Sequence, residues 1–136
     1  YEIWAPSMHN RQIGEEQLVK HLPYLNWVDW MKELSTFSIG VHMMPTIAAG
    51  TFALNCAYFG VPVVGNIDVD TQRHCHPDTS TTVDDIGTAI NKIQDLYVDS
   101  AFYDHCSEYC RLRVRDLFIK EPWLERMEGI LQRELE

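Results

Sequence analysis

Residues 38–66, SIGVHMMPTIAAGTFALNCAYFGVPVVGN, restrict the possible folds more than any other part of the chain. The run at 38–43 is apolar and β-branched, which suits a buried strand. It gives way to Pro45, Thr46, Ala48, Ala49 and Gly50, small or turn-forming residues that end a strand tightly. Residues 51–59 have helical composition and stop at Gly60, the residue type that most readily takes the left-handed conformation after a helix. VPVV at 61–64 then reads as a second strand. A helix between two strands returns the chain to the same end of the sheet, so the strands pair in parallel as a βαβ unit. The fold class expected is α/β, a Rossmann-like three-layer α/β/α arrangement with a mostly parallel sheet.

The flanking sequence fits one domain over residues 1–136. Residues 1–6 read as a short strand followed by a polar loop. Ile13, Leu18 and Leu22, with Glu15 and Glu16 in a first turn, predict a helix over 13–22 that Pro23 stops. Residues 24–27 read as a brief aromatic strand, with Asp29 as N-cap of a helix over 30–36. The polar stretch 66–82 predicts a long loop with one short strand. Three helices complete the chain: 84–97, opened by Thr82, Asp84 and Asp85, then 100–118, then 122–135 with Pro122 in its first turn.

Charge and composition exclude several functions. Twenty acidic against 11 basic residues give a net charge of -9, which opposes broad contact with nucleic acid or an anionic membrane surface. No apolar run approaches the roughly 18 residues of a membrane span. Cys56, Cys75, Cys106 and Cys110 lie in three unrelated contexts, two of them in helical segments, which fits reduced thiols and a cytoplasmic location. Tyr1 falls on a strand-like run, so the chain is expected to begin inside a larger protein.

Few side-chain constellations suggest chemistry. His74, Cys75, His76, His105, Cys106 and Cys110 are types that zinc accepts, but in an extended segment only positions 74 and 76 of the triplet could face one ion, so a polar loop plus helix residues is expected. Cys106 and Cys110 share a helix face, more in keeping with packing than with chemistry. Arg111, Arg113 and Arg115 are distributed around a helix, and no nucleophile elbow supports a hydrolase. The start of the helix at Gly50 and Thr51 is different: its free N–H groups and positive dipole end favour a phosphate, and a glycine permits close approach.

The succession of strand, small-residue turn, helix and Gly-x-Pro-Val-Val (Gly60, Pro62, Val63, Val64) resembles the donor-binding C-terminal domain of GT-B glycosyltransferases. The family pattern is Glu-Gly-Phe-Gly, several apolar residues, Glu-Ala, then Gly-x-Pro-Val-Val. Aligned on Gly60, the first block falls on Ile47, Ala48, Ala49 and Gly50 and the second glutamate on Asn55. LPYLNWVDWMKELSTFSIGVHMMP, HPDTSTTVDDIGTAINKIQDL and EPWLERMEGIL are similar to the family's preceding strand and helix, sugar-site loop and closing helix, so the resemblance extends over nearly the whole chain.

The resemblance implies a glycosyltransferase portion that holds a nucleotide-diphosphate sugar for transfer to a glycan-type acceptor in carbohydrate biosynthesis. Tyr24, Leu25 and Asn26 would lie against the nucleobase, the Gly50 and Thr51 amides would face the diphosphate, Asn55 would meet the ribose, and the sugar would lie near Thr46 and Ala49. Neither metal nor cofactor is implied, and no catalytic residue is assigned. Both motif glutamates are missing: Asn55 offers one neutral acceptor where a carboxylate accepts two hydroxyls, and Ile47 offers nothing polar. The family's first βα unit, with its diphosphate-neutralising basic residues, and its N-terminal acceptor-binding domain are not in this sequence. Transfer would need that domain as a partner, and an exposed sheet edge would favour a homo-oligomer. The alternatives are a non-catalytic GT-B-like binding or interaction module that has lost its donor and a GT-B-shaped sugar-nucleotide epimerase.

Overall fold

The computed structural model describes residues 2–6, 18–45, 47 and 50–135, with the side chains of 120, 122, 131, 134 and 135 excepted. The chain divides into two compact units, Tyr1–Leu34 and Ser35–Glu136.

The first unit contains a parallel pair, β1 (Ile3–Ala5) and β2 (Val19–His21), with Ile3 opposite Val19 and Ala5 opposite His21. The strand expected near the start is thus present. Residues 18–22 correct the helix expected over 13–22, because Leu18 is a turn and 19–21 is strand, while 13–17 lie outside the described residues. Pro23 disfavours a helical Leu22 and keeps the backbone extended there. Residues 24–26 form no strand and lead directly into α1 (Trp27–Leu34). Asn26, not Asp29, caps that helix: its Oδ1 accepts the Asp29 N–H at 3.0 Å and its Nδ2 donates to the Asp29 carboxylate at 2.6 Å.

The second unit contains the βαβ unit read from the sequence: β3 (Gly40–His42), α2 (Thr51–Phe59) and β4 (Val63–Asn66), with β3 and β4 parallel and Gly40 opposite Val63. Gly60 ends α2 at φ 72° and donates its N–H to the Ala57 carbonyl. Regular pairing begins at Val63 because Pro62 has no N–H to donate; its carbonyl still accepts from Gly40.

The stretch 66–82 corrects the expectation of a long loop. It folds as α3 (Asp70–Cys75), a single 3-10 turn over Pro77–Thr79 and β5 (Ser80–Thr81), which pairs in parallel with Gly65 and Asn66. Its polar composition has a structural cause. The N–H and C=O of Val63 point away from β3 toward the side on which β5 adds, but β5 is too short to reach them. Side chains take the place of the missing strand. Gln72 Nε2 and Thr79 Oγ1 donate to the Val63 carbonyl at 2.7 and 2.6 Å, and the Val63 N–H donates to His76 Nδ1 at 3.3 Å. His76 Nε2 then donates to the Ala53 carbonyl of α2 at 2.9 Å, which fixes the tautomer.

Three longer helices follow as expected: α4 (Ile86–Val98), α5 (Ser100–Phe118) and α6 (Lys120–Leu135). Asp85 and Asp99 cap α4 and α5 by accepting the Thr88 and Phe102 N–H groups. One face of the sheet meets α2 and α3: a Cβ on Gly40 would touch Phe52 and Cys56, and one on Gly65 would meet Gln72. On the other face Val64 packs with Ala89 and Leu96 of α4 and Cys106 of α5. Cys110 and Val114 of α5 close a second cluster with Ala57 and Cys75. The result is an α/β architecture with parallel pairing throughout, compatible with a Rossmann-like arrangement. Among the described residues no helix is long and apolar enough to cross a membrane.

His76 makes stability depend on pH. Burial pushes its pKa down from 6.5 to about 4, so above pH 6.5 the ring is neutral in both folded and unfolded chains. As pH falls from 6.5 to 4 only the unfolded chain takes up the proton, and stability declines, by about 3 kcal/mol in all. Denaturant unfolding across pH 7 to 4 is expected to show this loss in the native chain, and the His76→Gln variant is expected to lack that share of it.

Candidate functional site

In a parallel α/β sheet, ligands bind beyond the carboxyl ends of the strands, where helices begin. In the second unit that edge is formed by the residues after His42, the start of α2 and the turn between β4 and α3. Gly50 stands at the N-cap of α2 with φ 67°, contributes no side-chain cap, and is followed by a first turn without an acidic residue. Among the described residues no side chain caps the first N–H groups of α2, and the positive end of the helix dipole is uncompensated by acidic residues of its first turn. Thr51 is exposed and Asn55, one turn further along the same helix face, is half-buried. No hydrogen bond joins the Asn55 amide to another described residue.

Two side chains that the sequence reading did not single out hold this edge together. Asn66, buried at the end of β4, donates from Nδ2 to the Met44 carbonyl at 2.9 Å and accepts the Asp68 N–H at Oδ1 at 3.1 Å. The Thr71 hydroxyl donates to the Gly50 carbonyl. The loop leaving β3 and the start of α2 are thus both tied to the turn before α3. A polar residue closing the apolar run VPVVGN was the available signal for Asn66. Thr71 carried none, because it sits in a stretch read as loop.

His42, the last residue of β3, lies on the same face as α2, its ring tilted against Phe52 with centroids 5.5 Å apart. Burial lowers its pKa. Its Nδ1 and the Oε1 of Gln72 are the buried side-chain polar atoms without a hydrogen-bond partner among the described residues. The two flank Gly65, which lies opposite His42 in the ladder and whose missing Cβ leaves room for the Gln72 amide.

The structure distributes the expected donor residues between the two units. Tyr24, Leu25 and Asn26 belong to the first, where Tyr24 and Leu25 line a hollow of about 130 Å³ with Pro6, Leu22, Pro23 and Trp30. A whole ligand site occupies roughly 300 Å³ or more, so this hollow admits no more than a small ring. Asn26 is engaged as the cap of α1 through both its Oδ1 and its Nδ2. Gly50, Thr51 and Asn55 lie together on α2 in the second unit, while Thr46, Ala48 and Ala49 lie outside the described residues. Ile47 is 90% exposed.

Packing by itself accounts for a glycine at position 50. A Cβ there would lie 2.3 Å from Val69 Cγ1 and 3.0 Å from Thr71 Oγ1, so the turn before α3 already fills that side of the glycine.

The thiols play no part at this edge. All four cysteines are free and buried. Burial pushes Cys56 and Cys110 up to about 12 and Cys75 and Cys106 up to about 11, far from the thiolate that reacts or binds metal. Among the described residues no three His, Cys, Asp or Glu side chains converge to hold a metal ion.

No family model, curated protein or solved structure matches this chain. Its site is therefore defined by its own geometry.

Two outcomes follow from that geometry. Gly50→Ala is expected to lower the unfolding free energy by about 2–4 kcal/mol, from positive φ and overpacking together. Gly87→Ala, where a Cβ within α4 would make only ordinary contact with Asp85 Oδ1 at 3.8 Å, is expected to leave stability unchanged or raise it by up to about 1 kcal/mol. Denaturant titration of both variants checks the pair. In a thiol-reagent assay the native chain is expected to stay unreactive and to release all four thiols only on unfolding.

Proposed function

We propose that this chain is the donor-binding portion of a glycosyltransferase of the GT-B type and holds a nucleotide-diphosphate sugar at the carboxyl edge of its parallel sheet. The observation that supports this reading is the start of α2, where Gly50 and Thr51 leave first-turn N–H groups without a side-chain cap from the described residues, at the edge where such folds bind ligands. The diphosphate would accept from those N–H groups and gain from the helix dipole. Asn55, one turn along, would offer its amide oxygen to a ribose hydroxyl and its NH₂ to a second. The Thr51 hydroxyl, on the same face, supplies a further donor. The role of these residues is to bind and orient; transfer would draw on an acceptor-binding domain as partner.

One observation favours a second reading, a GT-B-like interaction module that does not bind a donor. Asp68 and Asp70 flank Val69, the residue packed against Gly50, and among the described residues only Asp70 of these two is paired with a cation, Arg73. A carboxylate so near the start of α2 works against an incoming diphosphate.

Titration with UDP, GDP, ADP and CMP, followed by backbone NMR, separates the two. The transferase reading predicts saturable shifts centred on Gly50, Thr51 and Asn55 with one nucleotide. Asn55→Ala is expected to weaken that binding by about 1–2 kcal/mol, the worth of a hydrogen-bonded ribose contact. Absence of saturable shifts with every nucleotide, also in a form extended toward the N-terminus, would favour the interaction module.

A further inference from the structure

The side-chain amide of Gln72 is fully buried, and its two ends can be told apart. One end donates to the Val63 carbonyl at 2.7 Å and lies 3.3 Å from Ser80 Oγ, so it is Nε2, and the other end is the oxygen. That oxygen can only accept, and no described residue donates to it. It fills the place of the side chain that Gly65 lacks, since a Cβ there would lie 2.6 Å from it. His42 stands opposite Gly65 in the ladder, with its ring on the α2 face of the sheet. Adjacent strands run about 5 Å apart, so the imidazole is set beside Gln72 Oε1.

His42 brings the complementary atom. Its Nδ1 is buried and, like Gln72 Oε1, has no partner among the described residues. Burial lowers the pKa of the ring and so keeps it neutral, with one proton for two nitrogens. A proton on Nδ1 satisfies both buried atoms, whereas a lone pair there sets two acceptors against each other. Nε2 bonds to no described residue and, unlike Nδ1, is not sealed from solvent. Because His42 ends β3 and its ring meets Phe52 in the first turn of α2, this nitrogen belongs to the carboxyl edge beside the start of α2.

We propose that Gln72 holds His42 as the Nδ1–H tautomer, so that the lone pair of Nε2 is a fixed hydrogen-bond acceptor for a sugar hydroxyl at the carboxyl edge. A lone pair repels a phosphate oxygen and accepts from O–H, so His42 selects the sugar part of a ligand whose phosphates suit the N–H groups of α2. Gln72 acts through His42 and is a positioning residue. The sugar as the source of the hydroxyl rests on the donor reading given above; the tautomer and the open Nε2 do not.

Nitrogen-15 NMR of the imidazole rings at neutral pH tests the tautomer in the native chain, because protonated and lone-pair nitrogens resonate far apart. His42 is expected to show Nδ1–H. In Gln72→Met, where Thr79 still serves the Val63 carbonyl, it is expected to move toward the Nε2–H form that free histidine favours, and Gln72→Glu, which keeps an oxygen beside Nδ1, is expected to restore Nδ1–H. Diethyl pyrocarbonate with peptide mapping reads the open nitrogen. His42 is expected to be modified in the folded chain, as exposed His74 is, while His76, with both nitrogens engaged, stays protected. Titration with UDP-glucose, GDP-mannose and ADP-glucose beside UDP, GDP and ADP reads the ligand. His42→Phe is expected to weaken the sugar nucleotide about tenfold and to leave the parent nucleotide unchanged. An Nε2–H tautomer in the native chain, as a water bridging the two atoms would produce, would overturn the proposal. So would a tautomer indifferent to Gln72→Met, an unmodified His42, or equal weakening of nucleotide and sugar nucleotide in His42→Phe. Silence toward every nucleotide would overturn the donor reading and with it the sugar, while an Nδ1–H tautomer and a modified His42 would still support the acceptor.

Discussion

The Val63 backbone is where the second unit depends on side chains rather than on secondary structure. A central strand of a parallel sheet needs a neighbour on each side, and β4 has a full one only in β3. Over its first half the other neighbour is replaced by Gln72, His76 and Thr79. A buried peptide group without such partners costs on the order of 1–3 kcal/mol for each unpaired atom. Because His76 also reaches the Ala53 carbonyl, the same network fixes how α2 lies on the sheet. The position of Gly50 and Thr51 at the carboxyl edge follows from that placement.

The edge itself is organised by a second set of side-chain-to-backbone bonds. Asn66 and Thr71 reach back across more than 20 positions to Met44 and Gly50. Both belong to the segment that also completes β4. One stretch of chain, from Asn66 to Thr81, therefore finishes the sheet and tethers the loops at its end. If those loops receive a ligand, they do so as a preorganised pair, which reduces the ordering cost of binding.

The parts of this architecture that are legible in sequence are those set by local rules. α2 is marked at its end by Gly60, and α4 by the aspartates that open it, because a cap is a short-range choice of residue. Gly50 and Thr51 were legible as a helix start for the same reason. The stretch 66–82 was not legible, since buried polar side chains and solvated loop side chains have the same composition; only the three-dimensional position of Val63 distinguishes them. Residues 24–26 misled in the opposite way, because Tyr24 and Leu25 look like strand but precede a capped helix. Asn66 and Thr71 escaped notice because their partners are remote in sequence, and Asn26 shows how a cap can compete with a binding role for one side chain.

The proximity in sequence of the groups that serve Val63 has a consequence for the chain before it is fully folded. Gln72, His76 and Thr79 lie only 9, 13 and 16 positions beyond it. The apolar run VPVVG is the kind of strand that pairs readily with another chain when its edge is open. During synthesis, its far edge can be occupied within about 20 residues of its own emergence, by short-range contacts that close quickly. The polar stretch after β4 thus serves as a built-in guard against aggregation, delivered immediately behind the segment that needs it.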